Sequence, residues 1–580
     1  MDTFYTDERS VQILISLMKA HGIKKVVASP GTTNISFIAS IQQDSFFEIY
    51  SSVDERSAAY IACGLAAESG EAVALSCTGA TASRNYMSGL TEAYYRKLPV
   101  LAITSTQHSG RIGQNMPQVI DRTTSLNDTV NMSVQIPTIH DAEDEWACEV
   151  KLNSALLELN HRGGGPVHIN LATVYSMNFT VKELPPARVI RRISCNNLFP
   201  ELKCKKVGIF VGAHKKWSEE LIAVVDRFCE KYNGVVFCDH TSNYKGKYGV
   251  NASLMCSQEQ YDAPCRTLDV MIHLGDISGS AINMHPREVW RVNPDGVIRD
   301  TFRKLSYIFE LEEKDFFEAY LKMTTEESKV SSYVNECREE CKKLLRKVPE
   351  LPFSNAWVAQ KSISHLPEES VLHLGILNSL RVWDYFEVPN SVQVYSNTGG
   401  FGIDGGVSSL IGASLVDKDK IYFGVVGDLA FFYDMNVIGN RHVSNNIRLI
   451  VVNNGRGTEF RNYNHNAAYF GEEADKYMAA AGHFGNQSSK LVKHYVEDLG
   501  FEYLCATNKN EYLKVMDHFF TPDKLEKPLL LEVFTDSQEE SNAIRIMNNL
   551  ETTTKGAVKN IMKEVIGEKG FRTLKRLINP

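Results

Sequence analysis

Tyr422-Phe423-Gly424-Val425-Val426-Gly427-Asp428-Leu429 is answered, 26 residues after Asp428, by Val451-Val452-Asn453-Asn454. The apolar run reads as a buried strand. A Gly-Asp at its end places one carboxylate at the carboxyl edge of a parallel sheet, where ligands of open α/β sheets collect. The next strand, Ile447 to Val452, ends in a paired amide. Asp428, the side-chain oxygen of Asn454 and the carbonyl of Arg456 then offer three hard oxygens. They leave the remaining octahedral positions to diphosphate oxygens and water, as Mg²⁺ prefers. Gly427 and Leu429 flank the acid, and the stretch from Phe431 to His442 is expected to be helical with its N-terminus toward the phosphates. Taken alone, the pattern also fits an ordinary strand–helix–strand unit.

The surrounding sequence favours the same class of fold. Apolar runs such as Lys25-Val26-Val27-Ala28-Ser29, Ala72-Val73-Ala74-Leu75-Ser76, Val100-Leu101-Ala102-Ile103-Thr104 and Val167-His168-Ile169-Asn170-Leu171 alternate with longer helical patterns. Runs of this kind, separated by 15 or more residues, predict doubly wound parallel α/β sheets. At 580 residues the chain is too long for one core. Three α/β domains are expected, over residues 1–185, 193–348 and 353–536, followed by a helical extension over 537–580 that includes an amphipathic segment from Val558 to Leu577.

Composition narrows the function classes. A net charge of −8 is modest for this length and shows no basic excess for nucleic acid. No apolar stretch approaches the length of a membrane span. The acidic start Met1-Asp2-Thr3-Phe4-Tyr5-Thr6-Asp7-Glu8 lacks a leader pattern, and the 12 scattered cysteines include no CxxC pair, so a reducing cytoplasm is expected. His273-Leu274-Gly275-Asp276 and Gly208-Ile209-Phe210-Val211-Gly212 look nucleotide-like. They lack the glycine fingerprint of a dinucleotide site, and no flavin is expected.

A second signal lies near the other end. Phe47-Glu48-Ile49-Tyr50 leads into Val53-Asp54-Glu55-Arg56-Ser57-Ala58-Ala59, so that Glu55 opens an Ala-rich helix able to pack closely on another backbone. Glu55, the turn Ser76-Cys77-Thr78-Gly79-Ala80-Thr81, the stretch Tyr395-Ser396-Asn397-Thr398-Gly399-Gly400-Phe401-Gly402-Ile403-Asp404-Gly405 and the metal motif together resemble a thiamine-diphosphate-dependent enzyme. The likeness is to the acetolactate synthase and 2-oxo acid decarboxylase group. Within it, the chain most resembles the menaquinone-pathway synthase that adds a succinyl semialdehyde unit from 2-oxoglutarate to isochorismate.

The resemblance implies roles for particular residues. Glu55 would hydrogen-bond the pyrimidine N1′ from a pyrimidine-binding first domain and favour the tautomer that takes the thiazolium proton. Ile403 would support the bend of the cofactor, Thr78 and Gly79 would approach it through backbone atoms, and Gln118 would point into the active site. Ser379 would lie near the substrate carboxylate and Phe460 at the mouth, beside Glu459, where an aliphatic residue is usual. Thiamine diphosphate and Mg²⁺ are the implied cofactors, and a homodimer or homotetramer with sites shared between subunits is the implied assembly.

The resemblance also breaks in one place. Thr33, Gln107, Trp383 and Thr398 stand where the menaquinone synthase has arginines that hold carboxylates. Arg381, His108, Arg111 and Arg461 remain as other anion partners. The expected function is therefore decarboxylation of a different 2-oxo acid with transfer to an acceptor. The alternative is simple decarboxylation, for example of a phosphono- or sulfopyruvate. A catalytically silent homologue is disfavoured by Glu55, Asp428 and Asn454 together.

Overall fold

The computed structural model describes residues 4–203, 205–280, 282–323, 332–482 and 488–553, and the expected segment from Val558 to Leu577 lies outside them. The chain forms an α/β fold with three parallel sheets. It divides into two compact units, Met1–Phe199 with Asp295–Glu310, and Pro200–Pro294 with Leu311–Pro580.

The first sheet contains β1 (Lys25–Ala28), β2 (Glu48–Ser51), β3 (Val73–Cys77), β4 (Val100–Thr106), β5 (Met132–Ile136) and β6 (Val167–Ala172), in the order β2-β1-β3-β4-β6-β5. Successive residues feed opposite cores. Val26, Ala74, Leu101 and Ile103 join the helices Arg9–Ala20 and Ala142–Glu158, whereas Val27, Leu75, Val100 and Ala102 join the helices Glu55–Ser69 and Met87–Tyr95. A sheet buried on both faces explains why these strands read as continuous apolar runs.

Seven strands follow: β7 (Arg191–Ile193), β8 (Val207–Val211), β9 (Gly234–Cys238), β10 (Gly249–Asn251), β11 (Thr267–Leu274), β12 (His285–Val292) and β13 (Leu305–Phe309). β7 pairs with β13 inside the first unit. Strands β10-β9-β8-β11-β12 lie side by side in the second. Between β8 and β11, where the order reverses, Gly212 packs backbone to backbone on Asp276; a Cβ there would collide with the Asp276 carbonyl.

The last sheet contains β14 (Val371–Leu374), β15 (Gln393–Tyr395), β16 (Tyr422–Gly427), β17 (Ile447–Asn453), β18 (Glu502–Ala506) and β19 (Leu529–Phe534), in the order β15-β14-β16-β17-β19-β18. Counted from its own first strand, this is the order of the first sheet. Each sheet therefore reverses between its first and third strands, at β1/β3 and at β14/β16. Crevices at such reversals are where α/β sheets bind ligands.

One helix differs from expectation. The helix after β16 begins at Asp428 and ends at Asp434, passing into a 3₁₀ turn Met435–Gly439 rather than running on to His442. Asn440 Oδ1 accepts the His442 N–H at 3.0 Å, and this local turn competes with further helix. A charged helix is described over Ser332–Leu345. Among the described residues no helix is long and apolar enough to cross a membrane.

The closest helix pairing in the first unit rests on one glycine. Gly89 lies so near Ala59 that a Cβ would overlap the Ala59 side chain and come within 3.1 Å of its carbonyl carbon, and Cys63 Sγ donates to the Gly89 carbonyl at 3.3 Å. Gly89→Ala is therefore expected to force the two helices apart at a cost of about 1–3 kcal/mol. Thermal unfolding would register a lower midpoint, and an unchanged midpoint would contradict the packing.

Candidate active site

Register brings the two parts of the metal motif together. β16 and β17 are neighbours with Gly427 opposite Val452, so Asp428 and the paired amides leave the sheet side by side. Asp428 is buried; its Oδ1 accepts the Leu429 N–H and its Oδ2 the Gly455 N–H, both at 2.7 Å. Burial pushes this carboxyl up to about 6 despite the backbone donors that pull it down. The amides diverge, as alternate strand positions must. Asn453 Nδ2 donates inward to Glu532 Oε1 at 2.7 Å, while Asn454 Oδ1 accepts from Thr458 Oγ1 at 2.6 Å. The Arg456 side chain turns away to Asp475 at 3.0 Å.

These residues fit a hard divalent cation. Among the described residues no three His, Cys, Asp or Glu side chains gather as a metal site. What stands at the end of β16 is a single desolvated carboxylate beside amide and backbone oxygens, the donor set of Mg²⁺ rather than of a thiophilic metal. A cation there would offset the burial that destabilises the charged form of Asp428.

The other candidates of the second unit lie on the loops around this sheet. Ile403 is half-buried in the turn between β15 and the helix Gly406–Ser414, a turn that Gly405 completes at φ +68° and that Asn397 ties down by accepting from Ser409 Oγ at 3.0 Å. Thr398 is buried. Ser379 and Trp383 share the helix Asn378–Trp383 after β14 and are joined through one residue: Asn355 Nδ2 donates to Ser379 Oγ at 3.1 Å and Asn355 Oδ1 accepts the Trp383 indole N–H at 3.0 Å. Trp383 is fully buried.

Glu459 Oε1 takes Arg381 Nη1 at 2.6 Å, so the acid at the expected mouth and the nearby cation neutralise each other. Phe460 packs edge-on to His465 with ring centres 5.2 Å apart. Arg461 Nη1 stands 3.6 Å from Asp475. Arg461, Tyr463, His465 and Asp536 help line a cleft of 1860 Å³ within this unit.

In the first unit Glu55 begins the helix Glu55–Ser69, but the capping is done by Asp54, whose carboxylate accepts the Ser57 N–H at 3.0 Å. That leaves Glu55 free of the cap, half-buried, with Oε2 accepting Asn85 Nδ2 at 2.9 Å. Across the β1/β3 crevice, Thr33 Oγ1 meets Thr78 Oγ1 at 2.6 Å and donates to the Ser105 carbonyl at 3.1 Å. Gly79 admits Gln118 closely: a Cβ would stand 3.0 Å from the Gln118 carbonyl oxygen, and Gln118 itself holds φ +62°. Gln107 bonds Arg111, and His108 Nδ1 accepts the Gly110 N–H at 3.1 Å. Sequence reasoning did not single out Asn85, Thr458 or Asn355, the partners that orient Glu55, Asn454 and the Ser379–Trp383 pair. Asn355 and Thr458 each begin a helical segment and Asn85 ends one, with no periodic signal to mark them.

Comparisons with known proteins identify the family. Residues 9–125 match the family described as thiamine pyrophosphate enzyme, N-terminal TPP binding domain. The 2-succinyl-5-enolpyruvyl-6-hydroxy-3-cyclohexene-1-carboxylate synthase of Bacteroides fragilis is 30% identical over 563 residues, covering 93% of this chain and 98% of its own. The synthase of that name from Flavobacterium johnsoniae is 27% identical and covers 91% of this chain and 96% of its own. Among solved structures, the Rhodococcus jostii RHA1 thiamine diphosphate-dependent 4-hydroxybenzoylformate decarboxylase covers 91% of this chain and 99% of its own at a TM-score of 0.39 and 16% identity, too loose a match to bear on the chemistry. With 30% of its residues identical over nearly the full length of the Bacteroides synthase, the chain belongs to the thiamine-diphosphate-dependent enzymes, in the family of these synthases.

Proposed function

We propose that this enzyme decarboxylates a short 2-oxo acid and joins the remaining unit to an acceptor, in a reaction other than the one its relatives are named for. Thiamine diphosphate, when bound, would supply a nucleophilic carbanion for the 2-oxo carbon and an electron sink for the pair left as carbon dioxide departs. Asp428, the Asn454 side chain and the Arg456 carbonyl would hold the Mg²⁺ that carries the diphosphate. Glu55 would hold a proton against the pyrimidine N1′, with Asn85 fixing its carboxylate. Thr78 and Gly79 would line the cofactor's path, Ile403 would set its bend, and Gln118 would position the substrate.

The observation that carries the substrate reading is the Arg381–Glu459 pair. Arg381 stands two residues before Trp383 and is already neutralised, so a second substrate carboxylate would have to displace Glu459. Trp383 and Thr398, buried where the resemblance expects arginines, add no charge. In the first unit Thr33 is engaged by Thr78 and Ser105.

The working form is proposed to be at least a homodimer in which Glu55 of one subunit serves the metal site of the other. Supporting this, Val53, Tyr60 and Ile61 expose apolar surface beside Glu55, at 78%, 47% and 43% of their full areas. Surface of that kind at a cofactor-binding end is what a two-fold contact covers.

Two outcomes test this function. Thiamine diphosphate should bind, by calorimetry, only with Mg²⁺ or a similar hard cation, and Asp428→Ala should abolish binding. Equal affinity in Mg²⁺ and in chelator would refute the metal role. The donor is tested by steady-state carbon dioxide release, with product analysis in the presence and absence of added aldehydes. Burying an unpaired charge costs several kcal/mol, and 1.36 kcal/mol is tenfold. Pyruvate should therefore exceed 2-oxoglutarate by about a hundredfold or more in kcat/KM; comparable values would overturn the substrate reading.

A further inference from the structure

Arg122 follows Gln118 by four residues and is buried, with 4% of its surface exposed. Its Nη2 donates to Asn170 Oδ1 at 2.8 Å and to the Ser105 carbonyl at 3.3 Å, which accounts for both hydrogens on that nitrogen. Nε and Nη1 carry three more donors, and both atoms are buried with no hydrogen-bond partner among the described residues. No carboxylate is among the groups that act on the guanidinium: Arg84 is a second cation, and burial pushes the Cys77 thiol up to about 12, so it is neutral. Burial lowers Arg122 only to about 10, so it remains a cation at neutral pH. His168, behind Asn170, does not relieve it. That ring bonds Thr104 and Ser133, and burial pushes it down to about 3, so it is neutral.

The location is as informative as the missing partners. Ser105 lies near the carboxyl end of β4 and Asn170 near that of β6. The Ser105 carbonyl is shared between Arg122 and Thr33, and a Cβ on Gly79 would sit 3.8 Å from Arg122 Nη2. The guanidinium is therefore held among Thr33, Thr78, Gly79 and Gln118, at the edge of the sheet where ligands collect. Buried cations in proteins are paired as a rule, because an isolated one is costly to take out of water. A guanidinium held by neutral acceptors through one nitrogen, with its other donors unused, is built to receive an anion.

We propose that Arg122 is the anion anchor of the substrate pocket, binding a carboxylate-class oxyanion that stays on the acceptor throughout the reaction. This rests on the reading of the enzyme as a carboligase. The carboxylate that departs as carbon dioxide is unsuited to the role: a fixed cation on it would stabilise the ground state more than the transition state and raise the barrier. A short donor has no second anion to offer. The acceptor is then an acid, held by a residue absent from the arginine positions of the related synthases.

The test needs no turnover, so its outcome is independent of the carbon dioxide assay that tests the carboligase reading. The chain carrying thiamine diphosphate and Mg²⁺ is titrated with acetate, and in parallel with uncharged acetamide, at constant ionic strength, while its thermal midpoint is followed. The parent should gain stability saturably with acetate and not with acetamide. Arg122→Gln should unfold no earlier than the parent in the absence of acetate, because an uncompensated buried charge has been removed, and should lose the acetate response. Arg122→Lys should keep a response on the order of tenfold to a hundredfold weaker, the range that a charge-assisted hydrogen bond is worth. An acetate response that is missing in the parent, or equal in the parent and in either variant, would overturn the proposal. If Arg122→Gln fails to fold, Arg122→Lys alone decides between these outcomes.

Discussion

Neighbouring parallel strands whose connections leave in opposite directions cannot close the gap between their carboxyl ends, and this chain builds that gap in the same topology at both ends of its sequence. In the first sheet the gap lies between β1 and β3, and in the last between β14 and β16. The third strand of each sheet delivers its final residues to the gap: Cys77-Thr78-Gly79 in one case and Gly427-Asp428 in the other. The two gaps differ in chemistry. The last sheet supplies a buried carboxylate and amides, whereas the first supplies hydroxyls, close-packed backbone and the nearby Glu55. In the middle sheet the equivalent reversal is filled by the backbones of Gly212 and Asp276.

Much of this was legible in the sequence because burial on both faces leaves a plain mark. β3, β4, β6, β8, β16, β17 and β19 are buried along almost their whole length and read as apolar runs. β5 is an edge strand with four half-buried residues, and β10 and β15 are three residues long; none of them carries a pattern that distinguishes it from loop. The juxtaposition of Asp428 with the paired amides was readable because the end of a strand fixes its residues in register with its neighbour. The helix expected to run to His442 stopped at Asp434 because Asn440 forms a local turn, a preference that apolar spacing does not reveal. The partners that orient the site were also invisible: Asn85 meets Glu55, and Asn355 meets Trp383, across 30 and 28 residues.

The scaffold and the pocket are separable. Asp428 and its backbone donors Leu429 and Gly455 lie within two residues of the ends of β16 and β17, so strand register does most to place them. The candidate substrate residues lie on the short helical segments that follow the strands, where Glu459 can neutralise Arg381 and Trp383 can be buried against Asn355 without disturbing the sheet. Cofactor chemistry can then persist while the charges that select the substrate are redistributed, with Arg122 as the buried cation of the first unit. The likeness to the related synthases and the uncharged side chains at Thr33, Trp383 and Thr398 are compatible for this reason.

The central claim is that the two crevices are halves of one cofactor site completed between subunits. Mixing chains that carry Glu55→Ala with chains that carry Asp428→Ala, each inactive alone, measures this directly. Random pairing leaves one intact site in each mixed dimer, so about a quarter of the parent's activity should return. A mixture that stays inactive while the chains demonstrably exchange would contradict the account.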